Sequence, residues 1–130
     1  MYTNITTNLM VENVNVSLAF YCDILGFKAD LTLPDEQGKL QFAILTKDGL
    51  TIMMQDRENL ISECPSLKTD RIQPSITLYI MVDNFEQLYQ DIKQKHQILI
   101  DLHETFYGAK EFAISDVDGY VLTFTPQKTI

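Results

Sequence analysis

The chain has 130 residues, of which 45% are hydrophobic and 22% charged, a composition typical of one compact domain and not of a disordered segment. Its formal net charge is −8. We therefore expect no nucleic-acid and no membrane partner, because phosphate surfaces require a basic face. A neutral or cationic small organic molecule remains compatible with this charge. No apolar run approaches the roughly 20 residues of a membrane span, and residues 1–10 lack the regions of a signal peptide.

The cysteine and histidine counts limit the chemistry further. Two cysteines, Cys22 and Cys64, do not make a disulfide framework, so we expect free thiols in a reducing, cytoplasmic compartment. Two histidines, His96 and His103, exclude a histidine-rich metal site. His96 follows a predicted helix, where a cation is favourable beside the helix C-terminus, and His103 is expected in a solvated loop.

The first part of the chain predicts a strand, a helix and three further strands. Residues 3–11 alternate with strand periodicity. Asn13 or Asn15 can cap the helix that follows, whose apolar residues recur every three or four positions and which Gly26 ends. Asp48-Gly49 is a strong hairpin signal between the last two strands. The three predicted strands after the helix are Phe27–Leu33, Lys39–Thr46 and Leu50–Gln55.

A less regular segment separates this part from the next. Residues 57–74 carry charges and two prolines without sustained periodicity. We interpret the segment as a linker that holds one short helical turn near Leu60 and Ile61.

The order of elements then repeats. Ser75–Val82 alternates as a strand, and Asp83 with Glu86 resembles the capping box of a helix. The helical stripe consists of Phe85, Leu88, Tyr89 and Ile92, and three strands follow at Gln97–Leu102, Lys110–Ser115 and Tyr120–Pro126.

The repetition is visible in the residues themselves. A shift of 70 positions lays residues 41–55 on residues 111–125 without a gap, and Phe-Ala-Ile and Asp-Gly coincide. This predicts an α+β fold of two βαβββ modules, residues 1–56 and 75–130, joined by the linker. A module of about 50 residues is too small to bury a sufficient core alone, so residues 1–130 are expected to form a single domain.

A duplicated βαβββ unit of this size resembles the vicinal oxygen chelate superfamily, which includes glyoxalase I, extradiol dioxygenases, and fosfomycin and bleomycin resistance proteins. The likeness covers nearly the whole chain. Val117 departs from it, because the family usually has proline there. The motifs that carry it are Val14–Tyr21 with Ile24–Phe27, Met81–Asn84, Tyr107-Gly108 with Phe112, and Asp116–Gly119.

The resemblance implies a curved mixed sheet of both modules around a cavity. Polar residues and methionines share the strand faces opposite the aliphatic ones, which suits a pocket wall, although a small core or a dimer partner is an alternative. Aromatic rings can add flat contact area, whereas Phe42 and Phe112 are expected in the hairpin cores. The predicted ligand-binding residues are Thr6, Asn8, Met53, Gln55, Thr77, Tyr79, Phe106, Tyr107 and Thr123.

The resemblance also locates the metal positions of the superfamily's metalloenzymes, which use His, Glu or Gln at four inward strand positions. Those positions carry Thr6, Met53, Thr77 and Thr123 in this chain, and Gln55 is the only residue of ligand type nearby. Neutral hydroxyls and a thioether do not hold a hard divalent ion at useful affinity. We therefore expect no metal and no cofactor, and we assign no catalytic residue.

Three functions follow from this resemblance. The favoured one is a metal-independent small-molecule-binding protein, in the manner of bleomycin resistance proteins that sequester a cationic drug between two subunits. The alternatives are a metal-dependent lyase or dioxygenase with displaced ligands, and a regulatory module with a vestigial pocket. The resemblance also implies a homodimer.

Overall fold

The computed structural model describes residues 1–127, and the chain divides into two compact units, Met1–Ile72 and Gln73–Ile130. Each unit contains one four-stranded mixed sheet and a helix that follows its first strand, as the repeat predicts. None of the helices within residues 1–127 has the length and apolarity needed to cross a membrane.

The first unit has the predicted order of elements and one additional helix. Its strand order is β1-β4-β3-β2, with β1 parallel to β4 and the other pairs antiparallel. The elements are β1 (Thr7–Val11), α1 (Val14–Asp23), β2 (Lys28–Pro34), β3 (Leu40–Lys47), β4 (Leu50–Asp56), α2 (Arg57–Glu63) and a 3-10 turn at Pro65–Leu67.

The second unit repeats this arrangement in residues 73–127. Its strand order is β5-β8-β7-β6, with β5 parallel to β8 and the other pairs antiparallel. The elements are β5 (Thr77–Val82), α3 (Phe85–Lys95), β6 (Ile100–Glu104), β7 (Lys110–Ser115) and β8 (Val121–Pro126).

The helix boundaries confirm one capping prediction and contradict another. The Asn13 side chain accepts a hydrogen bond from the Val16 N–H at 3.1 Å, and Gly26 takes φ +76° just beyond α1. The predicted capping box of α3 is wrong, because Asn84 occupies the cap position and its side chain makes no capping bond. His96 lies at the C-terminal cap of α3, and its Nε2 lies 3.0 Å from the Ser115 carbonyl oxygen.

Two other sequence predictions need correction. Residues 57–63 form a complete helix, α2, where we expected one helical turn, and residues 57–72 belong to the first unit. The Asp56 side chain caps α2 by accepting from the Asn59 N–H at 3.1 Å. His103 lies on the exposed strand β6 instead of in a loop, because that strand extends to Glu104.

The core of each unit lies on the sheet face that packs against its first helix. In the second unit Phe112 is fully buried, with its ring stacked on Phe124 and in edge contact with Tyr89 of α3. This confirms the core position expected for Phe112. In the first unit the fully buried residues include Leu9, Val11, Tyr21, Leu45 and Met54.

The pairing register of β3 with β4 differs by one residue from that of β7 with β8. The gapless alignment of the repeat is therefore wrong along β3 and β7. Ala43 pairs with Met54, but Phe112 pairs with Phe124, which is the counterpart of Met54. Side chains alternate between the faces of a strand, so this offset places the shared Phe-Ala-Ile run on opposite faces in the two units. Phe42 is accordingly only half-buried and does not share the core position of Phe112.

Candidate functional site

Two of the predicted residues of the first unit, Asn8 and Gln55, meet through a network of side-chain amides. The Asn8 Nδ2 donates to Gln55 Oε1 at 2.9 Å, and Gln55 Nε2 donates to Asn59 Oδ1 of α2 at 2.7 Å. Gln55 is buried, whereas Asn8 is exposed. Met53 pairs with Asn8 across the two strands, so both lie on the sheet face opposite the core. Thr6 lies one residue before β1.

Two of the predicted residues of the second unit, Tyr79 and Tyr107, contact a carboxylate that the sequence did not point to. Glu111 lies on β7 and is only 6% exposed. Its Oε2 accepts a hydrogen bond from the Tyr79 hydroxyl at 2.7 Å and another from the Tyr107 hydroxyl. Thr123 pairs with Tyr79, and Thr77 lies two residues before Tyr79 on the same face of β5.

The carboxylate of Glu111 shifts the pKa of Tyr107. The hydrogen bond to Glu111 raises the pKa of Tyr107 to about 12, and partial desolvation acts in the same direction. Tyr107 therefore remains protonated at neutral pH and continues to donate. We name this arrangement of Glu111, Tyr79 and Tyr107 the Tyr-Glu-Tyr cluster.

A tight turn positions Tyr107 and also carries Phe106. The Thr105 side chain accepts a hydrogen bond from the Ala109 N–H at 3.0 Å, and Gly108 takes φ +82°. Phe106 is fully exposed, and its ring meets the Tyr107 ring edge-on with centroids 4.9 Å apart. Of the predicted aromatic residues, Tyr79 and Tyr107 join the cluster, whereas Phe106 contacts it only through Tyr107.

The four positions that the resemblance assigned to metal ligands do not supply a metal-binding set. Thr6, Met53, Thr77 and Thr123 offer no carboxylate and no imidazole, so the residues present do not fit a divalent ion. Within residues 1–127, no three His, Cys, Asp or Glu side chains lie close enough together to hold one. The nearby carboxylate of Glu111 accepts hydrogen bonds from the two tyrosine hydroxyls through its Oε2.

Two clefts in the first unit are lined by residues outside the predicted set, although Asn59, which accepts from Gln55, lines the first of them. One cleft has a volume of about 330 Å³, and a second has about 550 Å³. Neither contains a residue of the predicted binding set. The side chains that line the first cleft are mostly charged or amides: Asp35, Lys39, Gln41, Asp56, Glu58, Asn59 and Ser62.

Comparison with known proteins identifies the family of this chain. The family model described as the glyoxalase/bleomycin resistance protein/dioxygenase superfamily matches residues 5–124. The chain belongs to this superfamily. Among curated proteins, none matches the sequence. The α+β fold with two four-stranded mixed sheets is the fold expected for the superfamily.

Solved structures share this fold at low sequence identity. A bleomycin-binding protein from Streptomyces verticillus, complexed with copper(II)-bleomycin, is 17% identical, with a TM-score of 0.70 and 98% of each chain covered. TioX from Micromonospora is 14% identical, with a TM-score of 0.74 over 98% of this chain and 100% of that one. A glyoxalase-related enzyme from Fulvimarina pelagi is 16% identical, with a TM-score of 0.77 over 98% of this chain and 89% of that one.

Glu111 is the residue that sequence reasoning missed. Strand alternation from Phe112 would have placed Glu111 on the same face as Ala113, beside Thr125. The gapless alignment instead paired Glu111 with Gln41, although the strands that carry these two residues differ in register by one residue. The hydrogen bond from Tyr107 to Glu111 joins the Thr105–Ala109 turn to strand β7. The sequence pattern alone does not specify this contact.

Proposed function

We propose that this superfamily member is a small-molecule-binding protein that works without a metal. The residues at the four metal positions carry the proposal, because Thr6, Met53, Thr77 and Thr123 lack the charge and basicity that hold a divalent ion. The faces opposite the cores instead present amides, hydroxyls and tyrosine rings. Such groups orient an organic molecule through hydrogen bonds and flat apolar contact.

Drug or antibiotic sequestration is the form of binding that we propose. The bleomycin-binding protein of similar fold is complexed with a drug. The negative net charge of this chain supports a neutral or cationic ligand, because its field attracts cations and repels anions. We further propose a cytoplasmic location, which the free thiols of Cys22 and Cys64 favour.

A homodimer is part of the same proposal. Edge strands β2 and β6 expose large apolar side chains, including Leu31, Leu33, Ile100 and Leu102, each at least 41% exposed. Exposed apolar groups on neighbouring positions favour burial against another protein surface. Sedimentation velocity at several concentrations measures the assembly state directly. A single monomeric species at every concentration would contradict this part of the proposal.

A ligand screen by thermal unfolding tests metal-independent binding. The protein is screened against a library of neutral and cationic drug-like compounds, once after chelator treatment and once with added Zn²⁺, Ni²⁺, Mn²⁺ or Fe²⁺. A compound at 100 times its dissociation constant adds about 2.7 kcal/mol to the free energy of unfolding. We expect stabilising compounds whose effect is the same in both conditions.

The same screen separates this function from its alternatives. Stoichiometric metal in protein purified without chelator, or stabilisation that requires an added ion, would support a metalloenzyme with displaced ligands and contradict the proposal. Stabilisation by none of the compounds in either condition would favour a regulatory module with a vestigial pocket.

A further inference from the structure

We propose that the Tyr-Glu-Tyr cluster is a subsite for the charged group of an organic cation, an ammonium, amidinium or guanidinium. The inference rests on the proposed function, because it specifies the chemical class of molecule that the second unit binds. It assigns the recognising role to Glu111, a residue outside the predicted binding set.

The two oxygens of the Glu111 carboxylate have different surroundings. Oε2 accepts both tyrosine hydroxyls. No side chain or backbone group within residues 1–127 donates to Oε1, although every fully buried side-chain oxygen or nitrogen there has a partner. Oε1 is therefore not fully buried and keeps the capacity to accept a hydrogen bond from a ligand.

The charge of Glu111 has no cationic partner among the described residues. Lys110, its neighbour in sequence, forms its ion pair with Glu86, at 3.4 Å. His103 lies opposite Glu111 in the strand register, but its Nδ1 lies 2.9 Å from the Asp101 carbonyl oxygen. A largely buried carboxylate held only by neutral hydroxyls is costly, and a bound cation offsets that cost.

Two tyrosines contact this carboxylate through their hydroxyl groups. Tyr79 and Tyr107 are 46% and 54% exposed although their hydroxyl groups converge on Oε2. A cation over the face of such a ring is attracted by its quadrupole, and the attraction strengthens where water is excluded. A carboxylate beside two half-exposed tyrosines therefore favours a cationic organic group over an anion or a purely apolar group.

The protonation state of Tyr107 supports this assignment. Because the Tyr107 pKa is about 12, its phenol stays neutral across the physiological range and adds no second negative charge. The two hydroxyls fix the orientation of the carboxylate without neutralising it. The subsite is thus organised before a ligand arrives, which reduces the ordering cost of binding.

Benzamidinium and benzamide form a matched pair of probes. Both are planar and nearly equal in size, but only benzamidinium carries a charge at neutral pH. We expect benzamidinium, titrated into the full chain and followed by amide chemical shifts, to perturb β5, β7 and the Thr105–Ala109 turn. Benzamide should bind at least roughly tenfold more weakly, as expected when a charge-assisted contact is lost.

Two substitutions that each remove one carboxylate charge show whether benzamidinium binds at Glu111. Glu111→Gln should weaken benzamidinium binding at least roughly tenfold. Glu104→Gln, on exposed strand β6, should change it less than twofold. If Glu111→Gln fails to fold, Tyr79→Leu serves in its place, because it removes one ring and one hydroxyl, with Met81→Leu on the same strand face as its control.

Equal binding of the two probes, unchanged binding in Glu111→Gln, or no benzamidinium binding at millimolar concentration would overturn the subsite. Failure of the subsite can be distinguished from failure of the proposed function. A neutral compound that stabilises both the wild-type chain and Glu111→Gln would uphold small-molecule binding while excluding the cation subsite.

Discussion

The hydroxyl of Tyr107 donates a hydrogen bond to the carboxylate of Glu111, four residues further along the chain. The turn between them places Tyr107 beside the start of β7, so one short segment supplies both partners. Tyr79, from β5, completes the arrangement. A local turn and a long-range strand pairing therefore converge on the same carboxylate oxygen.

The ionisation of Tyr107 tests this relationship. A pH titration of the tyrosine ring carbons by NMR should show Tyr107 ionising near its pKa of about 12. Glu111→Gln should return the Tyr107 pKa toward the ordinary value of about 10, because the charged acceptor is gone. Ionisation of Tyr107 near 10 in both proteins would contradict the hydrogen bond.

The same shift gives a direction for stability against pH. The folded-state pKa of Tyr107 lies above its unfolded value, so its contribution to folding is fully present below about pH 10. That contribution is lost as pH rises through about 12. Urea unfolding of wild type and Tyr107→Phe should therefore converge at the alkaline end, whereas a constant difference would exclude the linkage.

Phe112 and Phe106 are residues of the same type in opposite environments, so each serves as a control for the other. Phe112 is fully buried against Phe124 and Tyr89, whereas Phe106 is fully exposed. Phe112→Ala should lower the free energy of unfolding by about 3–5 kcal/mol, because it leaves a cavity in the core. Phe106→Ala should change it by no more than about 0.5 kcal/mol. Similar losses for both, measured by urea unfolding, would contradict the core assignment.

Asp116 and Asp35 hold the same kind of turn in the two units. The Asp116 Oδ1 accepts from the N–H groups of Asp118 and Tyr120, and Asp35 Oδ1 accepts from those of Gln37 and Lys39. Asp116 is only 6% exposed, so Asp116→Ala should cost about 1–3 kcal/mol, because the buried Tyr120 N–H and the partly buried Asp118 N–H lose this acceptor. Asp35→Ala should cost less, because water reaches its turn.

Substitution by asparagine serves as the control for the turn. Asp116→Asn keeps an oxygen acceptor at the same position and should recover most of the stability lost in Asp116→Ala, measured by urea unfolding. An equal loss in the asparagine and alanine variants would show that charge, and not the acceptor geometry, holds the turn.

Arg57 connects three parts of the first unit. Its guanidinium donates to both oxygens of Glu12, at 2.9 Å and 3.1 Å from Nε, and to the Thr69 carbonyl at 3.1 Å. Arg57→Lys should lower the melting temperature at pH 7, because a lysine ammonium cannot reproduce this fork. Arg71→Lys, on an exposed residue, is the matched control and should leave the melting temperature unchanged.

The pH dependence of that variant has a defined sign. The Arg57 hydrogen bond lowers the pKa of Glu12, so the pair stabilises the fold above the unfolded pKa of about 4.5 and loses this effect as pH falls. The wild type and Arg57→Lys should therefore approach each other below about pH 4. A melting-temperature difference that persists in acid would assign the effect of Arg57 to packing.

The number of strands and their succession along the chain were predictable because hydrophobic alternation and turn residues specify them locally. The Asp48-Gly49 turn illustrates this: both residues take positive φ, 50° and 81°, as a two-residue hairpin requires. Helix α2 was less predictable, because a seven-residue helix depends on its packing against β1 and β4 more than on its own propensity.

The candidate site was predictable only in part. Tyr79 and Tyr107 were identified from strand faces and the superfamily resemblance, but Glu111 was not, because the gapless alignment equated it with Gln41 although the register of β7 differs from that of β3 by one residue. Asn8 and Gln55 were identified, although their hydrogen bonds to each other and to Asn59 depend on α2.

The one-residue difference in strand register between the two hairpins shows how the two copies of a duplicated module can come to differ in their surfaces. Related strands, QFAIL in β3 and EFAIS in β7, present opposite residues to the core because their turns differ in length. Insertion of a single turn residue can thus exchange the core-facing and outward-facing side chains of an entire strand at once. Two copies of one module can acquire different surface chemistry by this route before any residue within the strand is replaced.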